Sequence, residues 1–74
     1  MADFKISLAA ARVNANLTQE DAAERIKASR SSIVKWESGQ TPIKFEKLVE
    51  LANVYGIPVD SIRVPTKSTL RGEP

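Results

Sequence analysis

Residues 27–40, "KASRSSIVKWESGQ", hold the side chains of this chain best suited to chemistry: Lys27, Arg30 and Lys35 among Ser29, Ser31, Ser32 and Ser38, with a single isoleucine and a single tryptophan. Guanidinium and ammonium groups only donate hydrogen bonds, and a serine hydroxyl adds a short donor or acceptor. Such a set suits binding to acceptor-rich surfaces, either phosphate oxygens or the edges of guanine. It does not suit bond making. The chain has no histidine and no cysteine, which removes the commonest general base, the thiolate nucleophile and the imidazole and thiolate metal ligands. Glu46, Glu50 and Asp60 lie on other segments with nothing to pair them into a catalytic or metal site, and there is no glycine-rich phosphate loop. No catalytic residue, metal site, cofactor or small-molecule ligand is therefore expected, and the chain is not expected to be an enzyme.

The charge distribution points the same way. Over the full 74 residues the formal charge is only +2, but residues 25–44 carry Arg25, Lys27, Arg30, Lys35 and Lys44 against Glu37 alone, a local +4 that leaves −2 for the rest. A basic patch on a nearly neutral domain is one footprint of a phosphate-binding surface; a merely solvated basic face is the plainer alternative. The N-terminus lacks a basic region followed by an apolar run, and no window approaches the about 18 apolar residues of a membrane span. A soluble, unexported protein of a reducing compartment such as the cytoplasm, without membrane contact, is expected.

These side chains must be positioned by a small domain. At this length one core is the expectation, and four breaks, at residues 14–18, 27–29, 38–42 and 56–58, separate apolar residues that recur with helical period. Residues 5–13 are rich in alanine and leucine, and Leu8, Ala9, Arg12 and Val13 fall on one side of a helix. The second segment opens at Thr18, whose hydroxyl can pair with Asp21 in a capping box, and Ala22, Ala23 and Ile26 then share a face. Ser29 is the expected N-cap of the third segment and Gly39 its left-handed stop. Thr41-Pro42 announces the fourth, in which Phe45, Leu48, Leu51, Ala52 and Tyr55 follow at spacings of three and four before Gly56. That spacing marks Trp36, Phe45 and Tyr55 as core residues rather than a stacking set. A short fifth helix is expected at residues 58–63, with Ile57, Val59 and Ile62 buried. Residues 1–64 form the expected domain and 65–74 a tail or linker. No strand alternation is visible, so the expected class is all-α with five helices.

At about 100° per residue, Ile33, Trp36 and Ser29 lie on one side of the third helix with Glu37 close by, while Ser31, Lys35 and Ser38 lie opposite. The isoleucine and tryptophan anchor the helix and leave a small, polar, cationic face outside. The short link at residues 26–29 favours a steep crossing of the second and third helices, the helix-turn-helix arrangement. Loop amides and the start of the fourth helix carry donors and a positive dipole end, which makes Ser32, Gln40, Thr41 and Lys44 candidate phosphate contacts.

Residues 8–62 resemble the Cro/repressor type of helix-turn-helix DNA-binding domain, the xenobiotic-response-element-like family. The resemblance rests on Leu17-Thr18-Gln19-Glu20, Ala23, Ser29-Arg30-Ser31-Ser32-Ile33, Trp36-Glu37-Ser38-Gly39 and Leu48-x-x-Leu51-Ala52 before Gly56-Ile57. It implies a compact five-helix, lambda-repressor-like bundle whose third helix lies in the major groove of double-stranded DNA. Arg30 and Ser31 would then meet bases first, Lys35 one turn later, and Val34 a thymine methyl. For Arg30 and Lys35 a purely phosphate contact is the alternative. The resemblance gives Gln19 a phosphate and sometimes a base, and makes Arg12 and Glu37 a structural ion pair. Two positions depart from the family pattern: Ala22 stands where leucine is usual, and Lys27 where the turn has glycine, a substitution that costs roughly 1 kcal/mol in a left-handed conformation.

The function implied is transcriptional regulation, most often repression, by a dimer on paired half-sites, with Ile62, Val64 and Tyr55 as candidates for the two-fold contact. The competing class is a protein-interaction module, such as an antitoxin or anti-regulator, working through the fourth and fifth helices.

Overall fold

The computed structural model describes residues 5–65. Ser7 lies where two elements meet: Ile6–Ser7 form a short strand, β1, and the Ser7 hydroxyl accepts the Ala10 N–H at 3.0 Å to start helix α1, Leu8–Asn14. Helix α2 is Gln19–Arg25, α3 is Arg30–Ser38 and α4 is Phe45–Tyr55. A single 3-10 turn, Val59–Ser61, leads into strand β2, Ile62–Arg63, which pairs in parallel with β1 in the register Ile6 to Ile62 and Ser7 to Arg63. Among the described residues the architecture is mostly helical, with four α-helices. In place of a fifth helix there is one 3-10 turn and a strand, because residues 62 and 63 complete a sheet with the start of the chain. Two residues per strand are too few to show alternation in a sequence.

Each helix end is closed by a left-handed residue, namely Asn16, Lys27, Gly39 and Gly56, which releases the chain in a new direction. After α2 the Ala28 N–H donates to the Ala23 carbonyl at 2.8 Å and the Lys27 N–H to the Glu24 carbonyl at 3.2 Å. This is the two-bond pattern that ordinarily has glycine at its left-handed position. Lys27 adopts it with φ of 57°, so the turn keeps its geometry and carries the strain of a Cβ in that region.

The core gathers Leu8 and Ala11 of α1, Ala22 and Ala23 of α2, Ile26, Ile33 of α3, Leu51, Ala52 and Tyr55 of α4, and Ile62 of β2. Small α2 residues let α2 and α3 approach closely, and this pair makes the most extensive helix contact. Three placements differ from the sequence expectation. In α1 the inward face runs through Leu8 and Ala11, and Val13 is 61% exposed. Helix α4 starts at Phe45, after Lys44 as N-cap, rather than at Pro42; Phe45 then sits on the first turn before the helix meets the core, and is 69% exposed. Tyr55 and Ile62 are buried within this one chain and leave little surface for a two-fold contact, whereas Val64 is half-buried. The tail expected at residues 65–74 lies outside the described residues from residue 66 onward. Among the described residues no helix is long and apolar enough to cross a membrane, and no cluster of carboxylates is arranged to hold a metal ion.

Candidate nucleic-acid interface

Helix α3 presents the polar face. Its N-cap, Ser29, accepts the Ser32 N–H at 3.0 Å, and the Ser29 and Ser32 hydroxyls lie 3.0 Å apart. This satisfies one of the donors that a helix start leaves free, worth about 1 kcal/mol. Arg30, Ser31 and Lys35 are exposed on the helix, Val34 and Ser32 are half-buried, and Ile33 is sealed in the core beneath them. The other cations of the basic stretch, Arg25, Lys27 and Lys44, are exposed as well. Gln40, Thr41 and Lys44 lie in or at the end of the exposed loop between α3 and α4, and no side chain caps the first turn of α4. The backbone donors of that turn are thus left without a side-chain partner.

Helix α2 contributes its own start. The Thr18 hydroxyl accepts the Asp21 N–H at 3.0 Å while the Asp21 carboxylate accepts the Thr18 N–H at 2.9 Å. The Thr18 backbone donor, then its hydroxyl, hold the Asp21 carboxyl below the usual carboxylate range, with help from the charge of Arg25. Next to this cap is Gln19, half-buried, in a cleft of about 400 Å³ lined by Arg12, Leu17, Thr18, Gln19, Glu20 and Arg30.

The cleft is underlain by a polar network whose extent no local sequence pattern discloses. Arg12 Nε donates to Glu37 Oε2 at 2.7 Å, its Nη2 to Glu37 Oε1 at 3.3 Å, and its Nη1 to the Leu17 carbonyl at 2.9 Å. The side chains of Arg12 and Glu37 are only 14% and 9% exposed. The hydrogen bond to Glu37 pushes the Arg12 guanidinium above its usual range, against the effect of burial. Gln19 Nε2 donates to Glu37 Oε1 at 3.0 Å, and Arg30 Nη2 donates to Gln19 Oε1 at 3.4 Å. Tyr55 lies behind the pair: its hydroxyl is buried without a hydrogen-bond partner among the described residues, and burial, reinforced by the charge of Glu37, pushes it up to about 12. Helical periodicity gives the inward tendency of Arg12 and Glu37, but Gln19 and Tyr55 join them through helix packing alone.

Two short helices joined by a tight left-handed turn, the second with a small, cationic outer face, place this arrangement in the helix-turn-helix class of domains. A helix-turn-helix family model matches residues 8–62, and the chain belongs to the Cro/C1-type helix-turn-helix family. Among curated proteins it is similar to the HTH-type transcriptional activator BcrR of Enterococcus faecalis, 35% identical over 60 residues. The matched region covers 81% of this chain and 29% of that relative, so the chain spans less than a third of the relative's length. No solved structure gives a significant match.

Proposed function

We propose that this chain is a sequence-specific, double-stranded DNA-binding transcriptional regulator that reads the major groove with α3. The observation that carries this reading is the exposed Arg30, Ser31 and Lys35 face of a helix whose opposite side is anchored by Ile33, within a matched helix-turn-helix segment. Arg30 and Lys35 read guanine edges, Ser31 supplies a short hydrogen bond and Val34 meets a thymine methyl. Ser32, Gln40, Thr41 and Lys44 hold phosphates, the last three from the loop ahead of the uncapped start of α4. Residues 1–64 act as the DNA-binding unit, and repression follows from occupancy of the site.

One short recognition helix reads few base pairs, so useful specificity calls for two copies on half-sites about one helical turn apart. The test is selection of sites from randomised duplex DNA with the 74-residue protein, followed by salt titration of the best site. An enriched inverted repeat whose affinity falls steeply with salt is the expected result. Failure to enrich any motif would overturn the reading, and sedimentation as a monomer with and without the selected DNA would remove the dimer.

A second reading, a protein-interaction module, is favoured by one feature: Phe45 is largely exposed at the start of α4. Arg30→Ala with Lys35→Ala separates the two. DNA binding should fall by at least tenfold, whereas docking through α4 would persist.

A further inference from the structure

We propose that Glu37, besides pairing with Arg12, is a positioning residue for base reading: through Gln19 it orients the guanidinium of Arg30. The inference rests on the DNA-reading function proposed above and adds a residue that does not itself reach the DNA-facing side. An ionised carboxylate accepts hydrogen bonds and cannot donate them, and a guanidinium donates and cannot accept. Gln19 lies between one of each, 3.0 Å from Glu37 Oε1 and 3.4 Å from Arg30 Nη2.

Its amide can satisfy both neighbours in one orientation only, nitrogen toward Glu37 and oxygen toward Arg30. A flipped amide would set oxygen against carboxylate and N–H against guanidinium. The nitrogen-to-carboxylate contact therefore does not depend on telling amide oxygen from nitrogen; the two flanking charges decide it. Glu37 is itself held by two bonds from Arg12, whose third donor is fixed on the Leu17 carbonyl. The polarity of the relay thus begins at the largely buried ion pair and ends at an exposed arginine on the first turn of α3.

For Gln19 this predicts a role different from a direct phosphate contact. The hydrogen given to Glu37 and the oxygen turned to Arg30 leave Gln19 a single N–H for any phosphate, with its acceptor committed to the arginine. The 3.4 Å link is long for a hydrogen bond, so in the free protein it biases Arg30 rather than locking it. The remaining donors of the Arg30 fork are left for a bidentate approach to guanine.

Site selection with four proteins tests the relay: wild type, Arg30→Ala, Gln19→Met and Gln19→Glu. Arg30→Ala identifies the base pair that Arg30 reads. Gln19→Met is close in size and removes both links, whereas Gln19→Glu keeps an acceptor for Arg30 and sets a second carboxylate against Glu37. Both Gln19 variants should relax the preference at that same base pair about tenfold and leave preferences elsewhere intact, and Gln19→Met should keep a thermal midpoint near that of wild type. Retention of the preference by Gln19→Glu with its loss in Gln19→Met would overturn the role of Glu37, leaving a simple contact between residues 19 and 30. A Gln19→Met variant that binds every sequence more weakly with unchanged preferences would overturn the inference in favour of a phosphate contact. An Arg30→Ala protein with no altered position would overturn it too. A wild-type chain that enriches no motif would overturn the proposed function first and the inference with it, an outcome distinct from all the others.

Discussion

The two ends of α3 are held in different ways. At its C-terminal end Trp36 packs against the core, Glu37 takes three hydrogen bonds from Arg12 and Gln19, and Gly39 turns left-handed against Pro65. At its N-terminal end Arg30 and Ser31 are exposed, and the anchors are the Ser29 cap and the long contact from Arg30 to Gln19. A rigid stem thus carries an adaptable tip. This arrangement suits the proposed DNA reading, because the core fixes the helix axis while the contacting side chains stay free to meet a partner.

The largest expected effect is at the stem. Glu37→Ala would strand the Arg12 guanidinium in a largely buried site and should cost about 3 kcal/mol of unfolding free energy, against about 1 kcal/mol for Ser29→Ala at the tip. Equal losses in chemical denaturation would erase the contrast between the two ends.

Tyr55, behind the same ion pair, gives a pH test. Its folded value of about 12 lies above the ordinary 10.0, so the neutral phenol is favoured by folding. The associated stability is fully present below pH 10 and is lost as pH rises through about 12, a fall on the order of 2 kcal/mol. The relevant measurement is the difference between wild type and Tyr55→Phe, which cancels every other alkaline contribution. The variant should lack this alkaline component. At pH 7 it should be as stable as wild type or slightly more so, because the hydroxyl it removes has no partner among the described residues. Parallel alkaline curves for the two proteins would contradict this account.

Gly39 comes next. A Cβ there would lie 2.7 Å from Pro65 Cβ and the backbone φ is 83°, whereas Gly56, at 76°, has open space around it. Gly56→Ala should lose about 1 kcal/mol from backbone strain, and Gly39→Ala more than that. Similar thermal midpoints for the two would show that Pro65 yields freely.

The smallest effect is expected at the turn into α3. Lys27→Gly relieves the left-handed strain and should stabilise by up to about 1 kcal/mol, less the entropy that glycine adds to the unfolded chain. A loss of stability would mean that the Lys27 side chain makes a contact worth more than the strain.

Much of this domain was legible in its sequence because caps and periodicity are local. The Thr18 and Asp21 box, the Ser29 cap, the Gly39 and Gly56 stops and the inward Ile33 each depend on neighbours within a few residues. The outward Ser31 and Lys35 follow from the same periodicity, whereas Arg30 is placed on the DNA-facing side by the family resemblance alone. The errors arose where local signals competed. Thr41-Pro42 has the chemistry of a helix start, but α4 begins at Phe45, and Phe45 keeps the leucine spacing while lying outside the core. The last segment has helix-compatible residues, yet its end is drawn into a strand by Ile6 and Ser7, more than fifty positions away.

The sequence by itself determined that the chain folds as helices with a serine- and cation-rich face on the third, since helical phase and capping are set within a turn or two of chain. The tertiary structure alone decided which polar groups stand together. Arg12, Gln19, Arg30, Glu37 and Tyr55 come from four helices, and the hydrogen bonds among the first four span up to 25 positions. Their convergence is fixed by how α2 packs against α3 while α1 and α2 pack against α4, a quantity that no single segment encodes.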